Sequence, residues 1–139
     1  MSKIDGIDHV QLPIPFGGLD RARAFYAGLL GLGELREPSL DRPGTLRFGV
    51  GGQRLDLSEG RYCGVAPQAH LALRVHQVGT LAQRLASAGQ LVDVAPLSVG
   101  TPRVYVEDPF GNRLELIEAE RVHHGSTGHR HDDDIPLAV

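Results

Sequence analysis

The chain has 139 residues, 41% of them hydrophobic and 22% charged, with a formal net charge of −3. That length holds one compact unit with a real core, and the acidic balance leaves no basic footprint for nucleic acid. Cys63 is the only cysteine, which excludes an intrachain disulfide and a thiolate metal cage and fits a reducing compartment. No apolar run approaches the ~20 residues of a membrane span, and residues 1–6 lack the basic end and apolar core of a signal peptide. The expectation is a cytoplasmic protein with neither membrane nor nucleic acid as partner.

Residues 7–12 (IDHVQL) alternate, with His9 and Gln11 on one face and Val10 and Leu12 on the other, so a first strand with a histidine in it is expected. Pro13, Pro15, Gly17 and Gly18 read as a turn. Leu19, Ala22, Phe25, Tyr26, Leu29 and Leu30 recur at helical spacing until Gly31 and Gly33, predicting a helix over 19–30 with Phe25 and Tyr26 in the core. A short strand at 33–37, a loop at 40–44 and strands at 45–50 and 53–58 around Gly51 and Gly52 complete a βαβββ series.

After a linker-like stretch at 60–68, residues 69–75 (AHLALRV) begin the pattern again, with His70, Ala72 and Arg74 on one face. Val78, Leu81, Ala82, Leu85 and Ala86 fit a helix ended by Gly89, followed by strands at 91–95, 103–107 and 112–119. The second half is again βαβββ. The echo extends to sequence detail: GGQRLDLSE at 51–59 repeats the glycine, arginine and apolar-acid-apolar triplet of DPFGNRLELIE at 108–118. His70 minus His9 is an offset of 61, and Glu115 minus Asp56 an offset of 59, a drift that loop lengths absorb. One unit over 1–120 is expected, with modules at about 4–60 and 68–119; residues 121–139 form a tail containing His123, His124, His129, His131 and Asp132 to Asp134.

Four strands thus carry one polar group each among apolar neighbours: His9, Asp56, His70 and Glu115. In a one-sided sheet the leucines and valines face the helices and these groups face away, either to solvent or into a shared cup. Two imidazoles and two carboxylates in a cup make a nitrogen-oxygen donor set for one divalent ion, with Ni, Zn, Fe, Mn and Co all admissible. Three of them make the two-histidine, one-carboxylate set of non-haem iron.

With these residues the chain resembles the vicinal oxygen chelate superfamily, which includes glyoxalase I, fosfomycin-resistance thiol transferases, bleomycin-binding proteins and extradiol ring-cleaving dioxygenases. The resemblance rests on DHVQLPI at 8–14, RARAFYAGLLGL at 21–32, AHLALRV at 69–75 and YVEDPFGNRLEL at 105–116. It implies an α+β fold in which two βαβββ modules form a U-shaped, partly open sheet cup with helices on the outer face. It also implies His9, His70 and Glu115 as metal ligands, with Asp56 at the fourth position. Glyoxalase-like isomerases normally carry glutamate there, and aspartate is one methylene shorter, so Asp56 reaches the ion through water or stays off it. The family's chemistry implies a Lewis-acid ion on adjacent substrate oxygens, with Glu115 or Asp56 moving the proton. A homodimer is implied as well, its modules pairing within a chain or across the dimer.

Tyr105 stands ten residues before Glu115, as the catalytic tyrosine does in ring-cleaving dioxygenases, but that family's upstream histidine is replaced here by Pro96, Leu97 and Ser98. Tyr105 is therefore either catalytic or a packing residue. Gln11 and Arg54 share faces with His9 and Asp56 and are candidates to bind an anionic substrate, as are Arg103 and Arg113. His76 and Cys63 read as inert. Three functions follow: a glyoxalase-like metal-dependent enzyme (lyase, isomerase or transferase) acting on a small oxygen-rich substrate; a drug- or metabolite-sequestering protein of the bleomycin-resistance type; or an Fe(II) extradiol-type dioxygenase.

Overall fold

The structure, a computed structural model, describes residues 2–61, 64, 66, 68–96 and 100–119. The tail and Cys63 lie outside them, as do Leu97 and Ser98. In chain order the elements are β1 (His9–Pro15), a helix that is α-helical over Leu19–Arg23 (α1) and π-helical over Ala24–Leu29, β2 (Gly33–Glu34), β3 (Thr45–Val50) and β4 (Gln53–Gly60). The second series is β5 (Leu71–Val75), α2 (Val78–Ser87), β6 (Val92–Val94), β7 (Arg103–Glu107) and β8 (Arg113–Glu118). Each series builds one four-stranded mixed sheet, in the orders β1-β4-β3-β2 and β5-β8-β7-β6. The fold is α+β, two βαβββ modules with no closed barrel.

In each sheet the first strand lies parallel to the last, and the rest are antiparallel. The parallel pairing follows from the crossover helix between them. It leaves β1 and β5, the strands that carry or directly follow the two histidines, at open sheet edges.

Pro13 and Pro15 belong to β1 rather than to the expected turn. Both have the same strand parity, so both missing N–H groups point to one side. That side is the open edge: the Pro13 carbonyl accepts from Asn112 Nδ2 at 3.0 Å, not from β4. Prolines are tolerated there because no ladder bond is lost.

The first helix also differs from a regular one. Leu30 N–H donates to Phe25 O and Leu32 N–H to Tyr26 O, both at 2.9 Å, a wider turn than the α-helical i→i−4 bond. Phe25 and Tyr26, neighbours in sequence, are both fully buried, their rings edge-to-face at 5.1 Å. In α2 the buried residues Val78, Leu81 and Leu85 follow ordinary helical spacing, and Gly89, at φ 88°, ends it as the sequence predicts.

The modules are bolted together by the turn before β8. Asp108, 4% exposed, accepts backbone N–H bonds from Phe110 and Asn112 with Oδ1, and Oδ2 takes the Tyr26 hydroxyl at 2.7 Å and Asn112 Nδ2 at 2.8 Å. Above it Arg21 lies over the Phe110 ring at 4.9 Å and donates to Pro109 O. Gly18 allows this approach, since a Cβ there would stand 3.0 Å from the Phe110 ring. The DPFGN stretch is thus both a turn and an inter-module clasp, whereas its echo, Gly51-Gly52, is a bare two-residue hairpin turn with Gly51 at φ 58°.

The modules do share a second device. Glu59 accepts from Gly17 N–H, and Glu118, 59 residues later, accepts from Gln77 and Val78 N–H at 3.0 and 2.9 Å. At α2 this places a carboxylate on the helix N-terminus and fixes Gln77 in its left-handed conformation, φ 63°. No helix among the described residues is long and apolar enough to cross a membrane.

Candidate metal and substrate site

Strand register decides which side chains share a face. In the first module Gln11 lies opposite Asp56 and His9 opposite Arg54, while Arg47 on β3 is the cross-strand partner of Asp56. Cross-strand partners project to the same side, so these five residues share the polar face, away from Leu55, Leu57 and Phe48 of the core. In the second module Ala72 lies opposite Glu115, Tyr105 opposite Glu115 and Arg103 opposite Ile117. His70 precedes β5 by one residue and keeps the strand's parity.

Both carboxylates are largely buried, Asp56 at 5% and Glu115 at 6% exposure, and both are paired. A buried carboxylate needs donors to replace water. Glu115 Oε1 accepts from Arg103 Nη1 at 2.8 Å and from the Tyr105 hydroxyl at 3.4 Å, leaving Oε2 facing His70 Nε2 at 3.0 Å. Asp56 has both oxygens on the Arg54 guanidinium, at 2.8 Å from Nε and 3.2 Å from Nη2, with His9 Nε2 at 3.8 Å. That fork raises the Arg54 pKa, chiefly through the hydrogen bond to Asp56.

Each imidazole is oriented from behind. His9 Nδ1 lies 2.7 Å from Asp8 Oδ1, and His70 Nδ1 lies 2.9 Å from the carbonyl of Gln68. Those contacts place the proton on Nδ1 and leave Nε2 as a lone-pair donor facing the carboxylate. The hydrogen bond to His9 holds the Asp8 carboxyl below its ordinary range. This is how protein imidazoles are held for a metal, and two donors each about 2.1 Å from an ion at right angles stand about 3.0 Å apart. His70 and Glu115 match that spacing, and His9 and Asp56 are more widely set. The donor set fits a divalent ion.

The four donors nevertheless stand as two pairs, one per module. Among the described residues no group of three His, Cys, Asp or Glu side chains converges. Gln11 is exposed beside the first pair; Arg54 and Arg103 each bind a carboxylate; Arg113 is exposed and does not reach Glu115; His76 is exposed. Sequence reasoning passes over Asp8, the residue behind His9, and over Arg47. The signal for Arg47 is present: counting back from the two-residue turn at Gly51 and Gly52 sets it opposite Asp56.

The family model described as Glyoxalase/Bleomycin resistance protein/Dioxygenase superfamily matches residues 6–116. A glyoxalase-family protein of Bacillus anthracis is 35% identical, over 86% of this chain and 99% of that one, with a TM-score of 0.77. A lactoylglutathione lyase of Agrobacterium tumefaciens is 24% identical over 85% of this chain and 96% of that one, TM-score 0.66. A variant of the fosfomycin-resistance protein FosX from Listeria monocytogenes, complexed with Mn(II) and 1S,2S-dihydroxypropylphosphonic acid, is 18% identical over 85% of this chain and 95% of that one, TM-score 0.71. The last two show the fold. No curated protein matches the chain.

Proposed function

Because the chain belongs to the glyoxalase/bleomycin resistance protein/dioxygenase superfamily, we propose that it is a glyoxalase-like, divalent-metal-dependent enzyme of the lyase, isomerase or transferase type, acting on a small oxygen-rich substrate. The observation that carries the reading is the pair of imidazoles with Nδ1 held from behind and Nε2 turned toward a buried carboxylate. A sequestering protein needs no such set. The FosX relative with Mn(II) supports the choice of ion class and leaves its identity among Ni, Zn, Fe, Mn and Co open.

His9, His70 and Glu115 hold the ion in this proposal, and Asp56, at the fourth position, is kept off it by its two bonds to Arg54. A bound divalent ion supplies Lewis acidity to paired oxygens of the substrate. Arg103 fixes Glu115 through Oε1 so that Oε2 stays on the His70 side, and Tyr105, 3.4 Å from the same carboxylate, is placed to pass a proton to or from it. Gln11 and Arg54 line the face on which the substrate lies.

The two half-sites meet between copies rather than within one. Donor pairs confined to separate modules, together with open edges at β1 and β5, support a homodimer in which His9 of one protomer completes the His70 and Glu115 pair of the other. The lone cysteine supports a cytoplasmic setting.

A second reading, an Fe(II) enzyme using dioxygen, is favoured by one observation: with Asp56 engaged by Arg54, two histidines and one carboxylate remain. Elemental analysis of protein truncated after Arg121, which removes the tail histidines, tests both readings. One ion per chain, lost in His70→Ala and Glu115→Ala, is the expected result, and its identity separates the two. No ion, and no uptake on titration, would move the function to sequestration.

A further inference from the structure

Among the described residues Arg47 is the one strongly buried cation on the polar face, with its side chain 10% exposed. Removing a guanidinium from water is costly unless its donors are matched, and it has five of them in a planar fork. Among the described residues its partner is a single carboxylate oxygen, Asp41 Oδ1, 2.6 Å from Nη2. Two other arginines here show what a matched fork looks like. Arg54 binds both oxygens of Asp56, and Arg23 binds both oxygens of Glu34 at 2.9 and 3.3 Å. Arg47 instead has a one-point contact with a residue of the 37–44 loop.

The two partners differ in how firmly they are placed. Arg47 sits mid-strand on β3, between the buried Leu46 and Phe48 and opposite Asp56. Asp41 lies in a surface turn closed by its own backbone bond to Glu37 O, with its side chain 37% exposed. Asp41 Oδ1 also accepts from Glu37 N–H at 3.2 Å, a bond within the same exposed turn, so of the two partners Asp41 is the one whose displacement leaves the strands intact. Its carboxylate occupies the face of the sheet that carries His9, Gln11 and Arg54. The second module has no counterpart: the position equivalent to Arg47 is Tyr105, a neutral hydroxyl on Glu115.

We propose that Arg47 is the receptor for an oxyanion of the small molecule bound on this face, of the carboxylate or phosphonate type, and that Asp41 is the resident carboxylate which this group displaces. A two-oxygen anion matches the guanidinium fork that Asp41 half fills. With Asp41 withdrawn, Arg47 and Arg54 face Asp56 and Asp8, so the net negative charge of the face is removed and the Arg47 fork is left open to an incoming anion. The loop then reports occupancy, since losing Arg47 frees the turn at Asp41 from β3 while Gly44 stays tied to β4 through Glu59 N–H. The inference rests on the reading of this face as the substrate site.

Inorganic phosphate is the probe, titrated into the full-length chain and followed by calorimetry and by the arginine Nε–H signals in NMR spectra. Wild type should bind it weakly with a shift of the Arg47 signal. Asp41→Asn should bind it about two- to fivefold more tightly, the worth of a partly exposed ion pair, because the competing charge is gone. Arg47→Met should abolish binding; Arg47→Lys, which keeps the charge without the fork, should retain a weakened form. Arg84→Met, which removes an exposed guanidinium on α2, should bind phosphate as wild type does. Unchanged or weaker binding in Asp41→Asn, or full binding in Arg47→Met, overturns the proposal. Phosphate binding that survives when no ion is taken up leaves this inference standing and removes the metal reading. Ion uptake without the Asp41→Asn gain does the reverse.

Discussion

The Tyr26 hydroxyl donates to Asp108 Oδ2 at 2.7 Å, closing a contact between residues 82 apart in the chain and on different modules. Burial and the neighbouring carboxylate both push the Tyr26 phenol pKa far up, burial contributing most. The unfolded chain releases that proton near pH ~10 and the folded chain does not. The stability from this group is therefore complete below about pH 10 and falls as pH rises beyond it, by about 1.4 kcal/mol per unit. Tyr26→Phe should lower stability at neutral pH by about 1.5–3 kcal/mol, the cost of a hydrogen bond to a charged group, and should flatten the alkaline limb of a urea-denaturation series.

At the other end of the same clasp, Gly18→Ala would put a methyl 3.0 Å from the Phe110 ring and 3.1 Å from the Pro15 carbonyl. The ring must shift off Arg21 to admit it. A loss of about 1–3 kcal/mol is expected in thermal or urea unfolding, typical of overpacking; no loss would mean that the Arg21–Phe110 stack contributes nothing.

Glu118 serves the N-terminus of α2 in the same way as Glu59 serves the turn at Gly17. Replacing it with Gln removes the charge from the helix end but keeps an acceptor. About 1 kcal/mol should be lost, read from urea midpoints at pH 7.

Much of this arrangement is legible in the sequence, for stated reasons. The period-two alternation of IDHVQL and AHLALRV sets His9 and His70 on the polar parity, and the repeat of apolar-acid-apolar does the same for Asp56 and Glu115. Other features are not local. Pro13 and Pro15 read as a turn because their tolerance depends on lying at a sheet edge, which pairing alone decides. Asp108 reads as a turn residue, and its second oxygen finds Tyr26 only after the modules dock. The Arg54 fork on Asp56 is a side-chain choice within one strand: Arg113, at the same repeat position, leaves Glu115 to Arg103.

That choice makes a prediction about the ion. Asp56→Asn should leave one ion per site with little change in affinity, whereas Glu115→Gln should weaken binding by at least about tenfold. Competition titrations with a metal-sensitive dye compare them. Equal losses in both variants would show that Asp56 leaves Arg54 to ligate.

The most direct test of the account is complementation between two variants, His9→Ala and Glu115→Ala, each unable to hold the ion alone. In a dimer with sites shared between copies, a mixed pair carries both lesions in one site and none in the other. Co-refolding the two at equal amounts should therefore restore about one quarter of the wild-type ion content, from a statistical mixture of pairs. Elemental analysis of the mixture showing no ion above that of either variant alone, with mixed dimers demonstrated by mass, would contradict a shared His9, His70 and Glu115 site.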